Sequence, residues 1–151
     1  MVSIRAGIFV LALAALAACR GGTPAPVPRF AVVADGRVMF TDADIAAYDS
    51  TGLHFTLNDS ALARIDFIWP YSLAVPRHKR MSPRSFAVLV DGDTIATGGI
   101  QHMWSSSLID GPCLNWPPLT GTVGIGSSRL PATAVERIRE ALRQAGVKRS
   151  G

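Results

Sequence analysis

Residues that carry chemistry are scarce in this 151-residue chain, which has two cysteines, three histidines and a charged fraction of 17%. His54, His78 and His102 show no short metal-ligand spacing, and neither cysteine belongs to a Cys-x-x-Cys pair, so no metal site is read from the sequence. The serine-nucleophile elbow is also missing. Gly124-Ile125-Gly126-Ser127-Ser128 lacks the glycine after serine that an α/β-hydrolase turn requires. Gly98-Gly99 is followed by no Gly-Lys-Ser/Thr, so there is no phosphate loop and no cofactor is expected. The carboxylate pairs Asp42/Asp44 and Asp91/Asp93 suit a helix start and a hairpin turn. The formal charge is +4, and the arginines are scattered and form no stripe, which argues against nucleic acid as a partner.

Long apolar runs are confined to the start of the chain. Arg5 supplies a positive flank, and Ala6 to Ala18 form thirteen apolar or small residues ending at Leu16-Ala17-Ala18-Cys19, which fits the bacterial lipobox. As a helix this run reaches roughly 20 Å, short of the ~30 Å hydrocarbon core, so it reads as a cleaved signal. Residues 1–18 are therefore taken as a lipoprotein signal peptide and Cys19 as the lipidated N-terminus of the mature chain. Residues 19–29, rich in Gly and Pro, form a flexible tether. Arg20 stands where lipoproteins retained at the inner membrane carry Asp, so the expected location is the outer membrane, facing the periplasm. Removing Arg5 with the signal leaves the mature side chains at +3, from the +4 of the whole chain. With Cys19 acylated, Cys113 has no intramolecular partner; it is left as a buried inert thiol, a link between chains or a nucleophile.

The rest reads as one domain over 30–146, with 147–151 as a disordered tail. Phe30–Ala34 and Arg37–Phe40 flank Asp35-Gly36, and Phe86–Val90 and Asp93–Thr97 flank Asp91-Gly92, which predicts two hairpins. Thr41 with Asp44 suggests a capped start to a short helix carrying Ile45, Ala46 and Tyr48. Leu53–Leu57 alternates as a half-buried strand, after which Asn58 or Asp59 caps a helix that ends at Pro70. Residues 69–84 read as a long surface loop. The unbroken run Phe86–Val90 suits a central strand covered on both faces, residues 98–120 an irregular segment, and Thr122–Gly126 a last strand. From Pro131 the chain reads as an amphipathic helix with Val135, Ile138 and Leu142 on one face and Gly146 as its stop. This order favours an α+β fold, a small antiparallel sheet with helices packed on one face.

Residues 41–121 resemble the head of the first periplasmic domain of SecD, the auxiliary subunit of the bacterial preprotein translocase. The matching residues are Phe40 to Ile45, His54-Phe55-Thr56-Leu57 leading into a helix, Phe86 to Gly92 with Ile95 and Ile100, and Thr120-Gly121. After the His54–Leu57 strand the family has a Thr-Pro-Glu-Gly-Ala type opening, where this chain has Asn58-Asp59-Ser60-Ala61-Leu62. The resemblance implies the fold and binding of extended polypeptide, without the motor role of a multi-pass subunit.

Two surfaces are candidates for binding. Arg77, Lys79, Arg80 and Arg84, near Trp69 and Tyr71, suit contact with an anionic surface. Trp104 and Trp116, with Pro117-Pro118, suit a groove for an extended peptide. The expected function is a non-enzymatic binding or accessory module in the cell envelope. Its partners would be membrane lipid through Cys19, and an envelope protein or extended polypeptide. The alternative is an envelope hydrolase or thiol enzyme using the Cys113 segment, in which His102 is the nearest candidate base.

Overall fold

The computed structural model describes residues 26–49, 51–103, 109–118, 120–126 and 130–150. Cys19 and Trp104 lie outside the described residues. Strands β1 (Phe30–Ala34) and β2 (Arg37–Thr41) form the first hairpin, and β5 (Ser85–Val90) and β6 (Asp93–His102) the second. Asp35 and Gly36, like Asp91 and Gly92, take positive φ, the conformation that lets a two-residue turn follow the twist of its strands. β7 (Cys113–Trp116) completes a five-stranded sheet in the order β2-β1-β5-β6-β7. A second sheet orders β3 (Ile45–Asp49), β4 (His54–Leu57) and β8 (Thr122–Gly124), and a bridge between Leu114 and Ile125 joins the two into one curled, antiparallel-rich surface. With helices α1 (Asp59–Ile68) and α2 (Ala132–Gln144), the fold is α+β.

β5 is the middle strand of the larger sheet, with β1 on one side and β6 on the other. Phe86, Val88 and Val90 are buried, facing Ala34, Val32 and Phe30 in register, whereas Ala87 and Leu89 on the opposite face are only half-buried. The expectation of full cover on both faces is met on one. Phe30, Phe40 and Phe55, from β1, β2 and β4, pack ring to ring at 5.3 to 6.1 Å in the same core as Ile65 of α1 and Ile138 and Leu142 of α2.

The sequence reading of a helix through Tyr48 is corrected. Asp44 accepts from the Thr41 N–H at 2.9 Å and its hydroxyl at 3.2 Å, but this caps a single 3-10 turn, Asp42–Asp44. Ile45–Asp49 is strand, paired with β4 through a bulge between Ile45 and Ala47. The extra residue brings Ile45 and Tyr48, three apart, to the same buried side, a spacing that imitates a helix.

The segment read as irregular is also corrected in part: β6 continues to His102, and β7 runs parallel to it from Cys113 to Trp116. Glycine conceals the strand because Gly98 faces Phe86 and the Pro112 carbonyl so closely that a Cβ would overlap that oxygen.

The helices start and stop largely as their residues dictate. The Asn58 side chain accepts from the Ala61 N–H at 2.8 Å, α1 closes before Pro70, and α2 follows Pro131 and stops before Gly146 at φ 74°. Residues 147–150, read as a tail, run beside β3. The Tyr48 N–H donates to the Lys148 carbonyl at 3.0 Å and the Ser150 N–H to the Tyr48 carbonyl at 2.8 Å.

Candidate functional site

The segment between α1 and β5 is a long loop with a built interior. The Asp66 carboxylate accepts from the N–H groups of Tyr71 at 2.8 Å and Ser72 at 3.0 Å, and the Met81 N–H closes the base on the Pro70 carbonyl at 2.7 Å. Arg80 is turned inward, its Nε on the Val75 carbonyl at 2.9 Å and its Nη2 on the Leu73 carbonyl at 3.2 Å. Asp35 does more than turn a hairpin. Both its oxygens accept from the Arg84 N–H at 3.1 Å, and one from the Ser85 N–H at 3.3 Å. Trp69 and Tyr71 pack edge-on against Trp116, at 6.4 and 5.3 Å between centroids, fastening the loop to β7.

Trp116 is therefore a core residue, 2% exposed, and Pro117 and Pro118 are buried beside it. Its ring lies beneath the loop, edge-on to Trp69 and Tyr71. Trp69, 4% exposed, meets Asp35, Met81, Ser82 and Arg84 around an open depression of about 540 Å³.

The surface of this loop carries two kinds of side chain. Arg77, His78 and Lys79 stand exposed on a 3-10 turn, and Arg84 is exposed beside the depression. Phe67 at the end of α1, Leu73 and Met81 in the loop, and Met103 just past β6 are 87%, 69%, 56% and 59% exposed. The His102 Nε2 lies 3.2 Å from the Ser82 hydroxyl, which ties the end of β6 to the loop. Leu73 and Met81 thus lie exposed in the same loop as the exposed Arg77, His78 and Lys79. The sequence showed the cations. It gave no sign that these four apolar residues are left out of the core, since Phe67 and Leu73 carry no pattern that separates them from buried ones.

His102 and Cys113 do not meet. In the parallel register Cys113 lies opposite Gly99 and His102 opposite Trp116, three positions or ~10 Å apart along the strands, and alternation sends them to opposite faces. Among the described residues, Cys113 and His102 therefore form no dyad. Cys113 is a free, partly buried thiol packed beside Gly126. Among the described residues, no three His, Cys, Asp or Glu side chains converge, and no helix is long and apolar enough to cross a membrane.

A second concavity, about 330 Å³, lies at the other end of the domain between β3 and α2, lined by Tyr48, Thr51, Arg139, Glu140, Arg143 and Arg149. Arg143 grips both oxygens of Glu140, Nη2 at 2.6 Å and Nε at 2.8 Å, and Gln144 adds a third bond at 2.6 Å. Those bonds, that from Arg143 first, pull the Glu140 carboxyl down to about 2. No protein-family model, curated protein or solved structure matches the chain. The fold and surfaces define the class on their own: an α+β domain with a basic, apolar loop surface at one end and an arginine-lined cleft at the other.

Proposed function

We propose that this chain is a bacterial cell-envelope lipoprotein, anchored in the outer membrane through acylated Cys19 and a tether over residues 19–29, whose domain is a non-enzymatic binding module for a polypeptide partner. The observation that carries the binding role is the exposure of Leu73 and Met81 in the same loop as the exposed Arg77, His78 and Lys79. Its charge fits an acidic segment. The nearby carboxylates of Asp35 and Asp66 are occupied by backbone N–H groups, leaving the exposed cations to an outside partner. The resemblance of residues 41–121 to the SecD head supports an extended polypeptide as that partner.

Position favours polypeptide over the anchoring bilayer. The tether joins β1 at Phe30, while the loop is fastened to Asp35, at the other end of a strand roughly 17 Å long. An extended tether thus turns the loop surface away from the membrane. A photo-crosslinking residue at Leu73 or Met81 of the full-length protein in intact cells tests this. The expected result is a discrete protein adduct that falls at least fivefold when Arg77 and Lys79 are both changed to Ser. Adducts with lipid alone would assign the surface to the bilayer, and adducts indifferent to the two substitutions would overturn the charge argument.

A further inference from the structure

On the outer face of the second sheet the His54 ring lies across glycines. His54 stands opposite Gly124 of β8, and a Cβ built on Gly124 would lie 2.6 Å from its Cδ2 and 3.0 Å from its Nε2. A Cβ on Gly52 would come within 2.6 Å of Cε1 and Nδ1 at the other edge of the ring. Beyond Gly124 runs β7, which the bridge between Leu114 and Ile125 sets with Asn115 opposite Gly124 and Cys113 opposite Gly126. Asn115 leans in from that side, its Nδ2 2.9 Å from the same Gly124 position, and the Cys113 thiol lies 3.0 Å from the Cβ position of Gly126. Three glycines thus floor a trough into which an imidazole, a carboxamide and a thiol lean, and Gly124 is buried beneath them. Strands ~4.8 Å apart, with ~7 Å between alternate residues, put Nε2 and the thiol on the order of 6 Å from each other.

These groups form the donor set of a soft metal ion. The Asp49 Oδ2 lies 3.9 Å from His54 Nδ1, which favours the proton on that nitrogen and leaves the Nε2 lone pair on the trough side. Asp49 is itself fixed by the Thr51 N–H at 2.8 Å and hydroxyl at 2.7 Å, and its charge favours a cation nearby. A thiolate and a neutral imidazole are the ligands that a thiolate-seeking ion selects. With two strong donors and the Asn115 oxygen as a weaker third, the set suits Cu(I), which two can satisfy, better than Zn(II), which completes four. We infer that His54 and Cys113 bind one Cu(I) ion on this face, a site apart from both the loop surface and the lipid anchor. Rotation of Cys113 about χ1 closes the gap, and the thiol gives its proton to water as the sulfur–copper bond forms.

The test is competition for Cu(I) between the full-length protein, reduced and in neutral detergent, and the chromophoric chelator bicinchoninate, with Zn(II) as a second probe. One Cu(I) per chain should bind, and Cys113→Ser and His54→Gln should each weaken it at least tenfold. Cys19→Ser and His78→Gln should leave it unchanged. If Cys113→Ser melts early, His54→Gln alone decides, because the His54 side chain is 50% exposed. Cu(I) binding of equal strength in wild type and His54→Gln overturns the site, as does its loss in Cys19→Ser or His78→Gln. Zn(II) binding that depends on both His54 and Cys113, where Cu(I) binding does not, overturns the choice of metal.

Discussion

Gly98 is the residue with least room to change. A methyl group there would overlap the Pro112 carbonyl and lie 2.7 Å from the Phe86 ring, so Gly98→Ala must push β6 away from the chain entering β7. Overpacking of this kind costs about 1–3 kcal/mol, and the urea midpoint should fall with the slope unchanged. Glu140 offers a prediction in pH. Its folded pKa of about 2 lies below its ordinary 4.5, so its bonds to Arg143 and Gln144 contribute fully above about 4.5 and are lost as the pH falls through 2. A carbon-detected titration of the Glu140 carboxyl should show a midpoint near 2, moving up towards the ordinary range in Arg143→Gln. A midpoint already near 4.5 in the wild type would mean the bidentate pair does not persist in solution.

At the scale of elements, β5 is the most sensitive to substitution. Val88 is fully buried between β1 and β6, so Val88→Asp places an unpaired carboxylate in the core. Such a charge costs several kcal/mol against the ~5–15 kcal/mol that holds a domain together, and the variant should lack a cooperative thermal transition. Amides of residues 86–90 should exchange among the slowest in the protein. At the start of α1, Asn58→Ala removes the acceptor of the Ala61 N–H and should cost about 1 kcal/mol in thermal or urea denaturation.

Those elements were legible because local chemistry decides them: two Asp-Gly turns, an Asn cap, a Pro start and a Gly stop. What was not legible depends on partners distant in sequence. The bulge at Ile45 exists only because β4 lies alongside, and β7 exists only because Gly98 and Gly99 let the chain come close enough to pair in parallel. The candidate sites divide the same way. Arg77 to Arg84 stood out as a run, whereas His54 faces Asn115 and Cys113 only because β8 sets Gly124 between their strands.

For the whole molecule, the anchor is tested by Cys19→Ser, which should move the protein from the membrane to the soluble fraction, since its acyl chains have no other attachment. Membrane-bound wild type with an unmodified Cys19 would refute it. The pairing of β4 with β8 bears on how the molecule is made. Phe55 faces Val123 across most of the length of the domain, and β8 reaches the ribosome exit after every other strand. Until Thr122–Gly124 emerge, β4 keeps one bare edge, a row of unpaired N–H and C=O groups beside Phe55 and Leu57. An unpaired edge of this kind recruits other strands, so a chain cut short of residue 122 is prone to aggregate.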